Sequence, residues 1–226
     1  MIVSVHDDLA TAVAARLVAR LEELGSASIV LTGGGIGIGT LEAVRSAPGA
    51  VDWSRIDVYW GDERFVARDS DDRNEKQARE ALLDHLPFDP ARVHPMGWDD
   101  GTRTADEAAS QYDAGLPSSF DILLLGVGPE GHIASIFPDS PAAHATSRVV
   151  GVHDCPKPPP TRVSLTFPTI QAASSVWVLA SGEAKAAALF EAHAGASALD
   201  VPVAGAVGRT ETLWLLDPAA ASLLPA

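Results

Sequence analysis

A single cysteine, Cys155, stands among 226 residues, so no disulfide can close within the chain. No Cys/His spacing matches a zinc site. No apolar run reaches the length needed to span a bilayer. The opening "MIVSVHDDLATAV" lacks a basic stretch followed by an apolar core, so no secretory signal is expected. Positive charge is scarce as well: 16 basic residues face 30 acidic ones, the formal net charge is −14, and only Lys76, Lys157 and Lys185 are lysines. That balance sets nucleic-acid binding well behind, because it leans on basic surface. The expectation is one soluble, cytoplasmic domain over residues 1–226, with no nucleic-acid or membrane partner. An anionic ligand would have to be held by a few local cations against a repulsive background.

Helix and strand signals alternate along the chain. Apolar residues recur at helical spacing from Asp7 to Leu24, with Asp7 or Asp8 to cap the helix and Gly25 to end it. Short, largely apolar or β-branched segments predict buried strands at Ser28–Thr32, Ile56–Trp60 and "FDILLLG" (Phe120–Gly126), then at Arg162–Thr166, Ser175–Ser181 and Glu211–Asp217. Helices are predicted at "TLEAVRSA", Arg73–Leu86, "TADEAASQYDAGL" and "GEAKAAALFEAHA". The pattern predicts an α/β fold: a mostly parallel sheet with helices on both faces. Ligands of such sheets sit beyond the carboxyl ends of the strands. "KPPPT", the only Pro-rich run, reads as a stiff loop.

Four stretches can carry chemistry. In "LTGGGIGIGTLEAV", glycines between a strand and a helix let backbone N–H groups approach an anion. The stretch fits neither the dinucleotide fingerprint nor a Walker loop. A tight turn explains one or two glycines; five, at Gly33, Gly34, Gly35, Gly37 and Gly39, favour phosphate binding. In "WGDERFV", Asp62 and Arg64 directly follow a core strand. Arg64 can grip phosphate or stabilise an oxyanion, and Asp62 can orient a hydroxyl, although a solvated acidic turn would read the same way. In "GVGPEGHIASIFP", glycines surround His132, a candidate general base at a strand's carboxyl end, with Glu130 two residues earlier to orient it. Finally, Arg162 opens a strand and Lys185 falls in the first turn of a helix, where a bound anion would offset the unfavourable dipole.

Taken in order with "DDRN", "PKPPPTRVSLT", "SGEAKA" and "TLWLLD", these segments resemble the 6-phosphogluconolactonase family over most of the chain. The resemblance implies a Rossmann-like α/β fold and hydrolysis of a small-molecule phosphorylated sugar lactone in the pentose phosphate pathway, with no cofactor and no metal. It matches His132 to the histidine that activates water. Glu130 stands where the family usually has aspartate, and Asp62 and Arg64 match an Asp-Glu-Arg motif. Arg162 and Lys185 match cations of the phosphate end, and Gly33, Gly34 and Gly35 replace a common Gly-Gly-Ser loop. The chain is expected to act as a monomer or weak homodimer. A related isomerase branch, typified by glucosamine-6-phosphate deaminase, carries glutamate five residues after the histidine and usually Asp-Glu-Tyr after the second strand. This chain has Phe137 and Arg64 there. A silent sugar-phosphate sensor would often bring a DNA-binding segment, and no basic recognition helix is apparent.

Overall fold

A computed structural model describes residues 1–225. Within them, six parallel strands form one sheet in the order β1 (Ile2–Val5), β9 (Glu211–Leu216), β8 (Ser175–Ala180), β5 (Ile122–Gly126), β2 (Ala27–Leu31), β3 (Ile56–Trp60). Every residue of β8 is buried, as are four of the five in β5. Successive side chains point to opposite faces, so both faces are covered, which is why these strands read as unbroken apolar runs. The edge strand β1 carries no such run and escaped the sequence reading; Ile2, Val3 and Val5 are exposed.

The first helix, α1 (Leu9–Leu24), is capped by the Asp8 carboxylate, which accepts from Thr11 N at 3.2 Å, and ends at Gly25 with φ +67°. It packs against α2 (Gly34–Ser46). Helix α2 begins six residues earlier than predicted and takes in the glycine stretch. At Gly37 an added Cβ would overlap the Thr32 carbonyl oxygen, so glycine permits the helix to pack close to the strand end. Helix α3 (Asn74–Ala78) widens into a π turn over Arg79–Leu83, short of the predicted Leu86. Helix α4 (Ala105–Gly115) starts with a Thr104/Glu107 capping box. Helices α5 (Phe167–Ala172) and α6 (Ala186–His193) complete the set.

One expectation needs correction. Arg162–Thr166, read as another core strand, holds β7 (Arg162–Leu165) of a separate antiparallel sheet, between β4 (Asp62–Arg64) and β6 (Val149–Val152). Its alternation of polar and apolar residues suits a small sheet packed under α4. Gly61 joins the two sheets: its N–H donates to Leu31 O at 3.0 Å, and its carbonyl accepts from Leu165 N at 2.8 Å.

The chain leaves β2 for β3 on one side and β5 for β8 and β9 on the other, so the strand order reverses between β2 and β5. A ligand crevice is expected beyond their carboxyl ends. Thr32 Oγ1 accepts from Gly126 N at 3.0 Å across that point.

Candidate active site

The carboxyl ends of β2, β5 and β8 open on a cleft of about 550 Å³. Gly33, Gly34, Gly35, Asp62, Arg64, His132, Arg162 and Lys185 all line it. Glu130 stands against the His132 ring.

The first wall is the start of α2. Gly33 is its N-cap and supplies no side-chain cap, so the first-turn N–H groups are left for a ligand. Gly34 (φ +80°) and Gly35 are exposed, and a Cβ at Gly35 would meet nothing within 4 Å. A Cβ at Gly33 would overlap Asn74 Oδ1. That oxygen accepts from Arg64 Nη1 at 2.5 Å, while Asn74 Nδ2 donates to the Asp62 carbonyl at 2.8 Å. Arg64 Nη1 also donates to Asp72 O at 2.8 Å, and its Nε is buried without a partner among the described residues.

The small sheet builds the second wall. Register sets Arg64 opposite Arg162, hence on the same face, and Asp62 two residues along. Like charges so paired repel, which favours an anion near them. Asp62 Oδ2 accepts from the buried Ser135 hydroxyl at 2.6 Å and lies 3.6 Å from Arg162 Nη1. Arg162 is otherwise occupied: it donates to the carbonyls of Pro159 (3.1 Å), Lys157 (3.1 Å) and Pro158 (3.3 Å), and so clamps the Pro-rich loop.

Beneath lies a buried charge cluster. The Glu63 carboxylate accepts from the N–H groups of Asn74 (2.7 Å), Arg64 (2.8 Å) and Glu75 (2.9 Å). Arg73, wholly buried, lies 3.5 Å from Glu63 and donates to Glu75 at 3.2 Å and Met96 O at 3.0 Å. Burial pushes the Glu63 carboxyl upward, against the pull of Arg73 and the three N–H groups.

His132 sits in a tight turn closed by Gly128 N donating to His132 O at 2.9 Å. A Cβ at Gly128 would overlap the imidazole, and Gly131 has φ +82°. The ring stacks on Phe137, centroids 4.4 Å apart. Its Nδ1 lies 3.1 Å from Glu130 Oε2 and 3.4 Å from Lys157 Nζ. Burial and the Lys157 ammonium lower the imidazole's pKa, against Glu130 and Asp62. Burial pushes the Glu130 carboxyl up, but hydrogen bonds from its own N–H, Lys157 and His132 hold it down at about 2.

Lys185 ends a 3-10 turn (Glu183–Lys185) just before α6, rather than lying in the first α-helical turn. Asp217 accepts from Ser181 Oγ at 2.6 Å and Gly182 N at 2.9 Å, fixing the chain that leads to it. Burial, then Lys157, lowers the Lys185 pKa, with Glu130 opposing.

Sequence reasoning missed three participants. Lys157 lay in a run read as a stiff loop. Asn74 was only part of the "DDRN" resemblance. Ser135 carries no signal in a single sequence, because its partner Asp62 is 73 residues away.

The family model for glucosamine-6-phosphate isomerases/6-phosphogluconolactonase matches residues 3–214. A 6-phosphogluconolactonase of Streptomyces coelicolor is 50% identical over 244 residues, covering 98% of this chain and 94% of its own. One from Mycobacterium tuberculosis is 48% identical over 235 residues, covering 97% and 95%. The crystal structure of 6-phosphogluconolactonase from Thermotoga maritima is similar with a TM-score of 0.86 at 25% identity, covering 96% of this chain and 99% of that one. This chain therefore belongs to the glucosamine-6-phosphate isomerase/6-phosphogluconolactonase family.

Proposed function

We propose that this chain hydrolyses 6-phospho-D-glucono-1,5-lactone to 6-phospho-D-gluconate, a step of the oxidative pentose phosphate pathway, with His132 as general base. One observation carries the reading: a partly buried histidine, paired with a carboxylate, lines the same cleft as Arg64, Arg162, Lys185 and an uncapped helix start. The relatives at 48% to 50% identity bear that activity in their names.

A lactone is a cyclic ester. Its hydrolysis needs an activated water, a stabilised oxyanion and a proton for the leaving ring oxygen. His132 takes a proton from water as the water oxygen bonds to the carbonyl carbon. The bond from that carbon to the ring oxygen then breaks, and the imidazolium gives the proton to that oxygen. Glu130 supports the charged ring. Asn74 links Arg64 to the glycine turn, so these form one wall suited to the phosphate, and Lys185 adds a cation. Arg162, clamped to the Pro-rich loop, shapes the cleft beside Asp62. Holding the phosphate positions the carbonyl before the base. Phe137, where the isomerase branch carries glutamate, gives the ring an apolar face and supplies no second acid.

The test is hydrolysis of freshly generated lactone, with the buffer-only rate subtracted and His132→Ala alongside. Wild type should run well above buffer, and the variant should lose about 10²- to 10⁴-fold in turnover. No acceleration by folded wild type overturns the activity; near-normal turnover in the variant overturns the base.

A further inference from the structure

Lys157, Glu130 and His132 meet in a triangle. Lys157 Nζ lies 3.0 Å from Oε1 and 3.0 Å from Oε2 of Glu130. Glu130 Oε2 is 3.1 Å from His132 Nδ1, and Lys157 Nζ is 3.4 Å from that same Nδ1. A neutral imidazole carries a proton at one nitrogen and a lone pair at the other. With the proton on Nδ1, the ring donates to Glu130 and Nε2 is free to act as a base. With the lone pair on Nδ1, the ring accepts from Lys157 and Nε2 already holds a proton. The ammonium and the carboxylate thus compete over which nitrogen is basic.

Resting on the reading of His132 as the water-activating base, we propose that Lys157 is a positioning residue that sets the His132 tautomer. Its ammonium shares Nδ1 with Glu130; an anionic group of the substrate draws it away, leaving Glu130 to hold Nδ1–H and Nε2 to act as base. The ring proton passes from Nε2 to Nδ1 by exchange with solvent, and the ring's charge does not change.

Three features favour this. The Lys157 side chain is 41% exposed and lines the cleft, so a ligand there can reach its head. Its main chain is fixed: Arg162 holds the carbonyls of Lys157, Pro158 and Pro159. Lys185 lines the same cleft and feels the Lys157 charge, so an anion reaching both ammoniums relieves their repulsion. The charged groups facing His132 are Glu130 on its own turn, Lys157 on the Pro-rich loop and Asp62 on β4; its other face is covered by Phe137.

The test is the ring tautomer of His132 in the full chain, read by long-range proton–nitrogen NMR near pH 8, with the signal assigned by its loss in His132→Ala. Ligand-free wild type should show a substantial fraction protonated at Nε2. Lys157→Met should be protonated at Nδ1, and saturating 6-phosphogluconate should move wild type to the same form. Kinetically, Lys157→Met should lose about tenfold in kcat/KM, more through KM than kcat, as one charge-assisted hydrogen bond is removed. Its acid limb should move to higher pH, and Lys157→Arg should restore part of both. The same tautomer in ligand-free wild type and Lys157→Met overturns the proposal, even where His132→Ala abolishes turnover. Full turnover in His132→Ala overturns the general-base reading instead.

Discussion

Arg64 and Asn74, ten residues apart, are held together by a 2.5 Å hydrogen bond from Nη1 to Oδ1, and that same oxygen fills the space a Cβ on Gly33 would need. The guanidinium, the amide and the glycine turn are therefore one mechanical unit, assembled from the ends of β2, β4 and α3.

Breaking that unit at either end should have the same consequence. Asn74→Ala removes the acceptor that orients Arg64. Gly33→Ala pushes the amide aside, and since Gly33 has φ −80° alanine fits the backbone there. Each should lower kcat/KM about tenfold, the size of a hydrogen bond to a charged group. The double variant should lose little more than either single one, because both act on the same contact. Losses that multiply would show that Gly33 serves the ligand independently of Asn74.

Gly35 offers the opposite experiment. Nothing lies within 4 Å of a Cβ built there, and the family's common loop has a serine at this place. Gly35→Ser should bring a hydroxyl to the cleft and lower KM about fivefold, one ordinary hydrogen bond. It should also raise stability slightly by replacing glycine within a helix. An unchanged KM would mean that the backbone N–H groups already satisfy the anion.

These contacts mark where a single sequence stops being readable. Strand β3 was legible to the residue, because Ile56–Trp60 is rich in β-branched and aromatic residues and ends at Gly61. Strand β4 was not: Asp62–Arg64 is three charged residues, and only pairing with β7, a hundred residues on, makes it a strand. The start of α2 was missed because glycine is a poor helix former, and close packing on Thr32 overrode that propensity. Asp62 and Arg64 were visible because they closely follow a core strand, and His132 because it sits in a glycine-rich turn beyond another. Lys157 and Ser135 reach the site only through the fold of the second sheet and the turn after His132.

The buried Glu63 should matter more for stability than for chemistry. Glu63→Ala strands three N–H groups and leaves Arg73 with Glu75 as its remaining carboxylate partner. Breaking such a pair costs about 3–5 kcal/mol. For a chain of this size that corresponds to a fall of about 10 °C in Tm. Glu63→Gln keeps the shape and should fall between the two. Calorimetry showing Glu63→Ala within about 2 °C of wild type would mean that the loop after β4 re-forms its hydrogen bonds without the carboxylate.

The pairing of Glu130 with His132 fixes two pH dependences. The imidazole is held below its ordinary value, so the acid limb of kcat/KM should fall below about 6.5. Glu130→Gln removes an anion that opposes this, so the limb should move to still lower pH while turnover drops, because the charged ring loses its support. A limb that moves to higher pH would show that Lys157 leaves the ring when Glu130 is neutral. Stability runs on the carboxyl itself. Its folded value is depressed to about 2, so its contribution is present above the unfolded value, about 4.3, and is lost as pH falls toward 2. The gap in Tm between wild type and Glu130→Gln should therefore be constant near neutrality and close between those two values, with wild type the more stable at the top. A gap that persists below pH 2 would assign it to packing instead of charge.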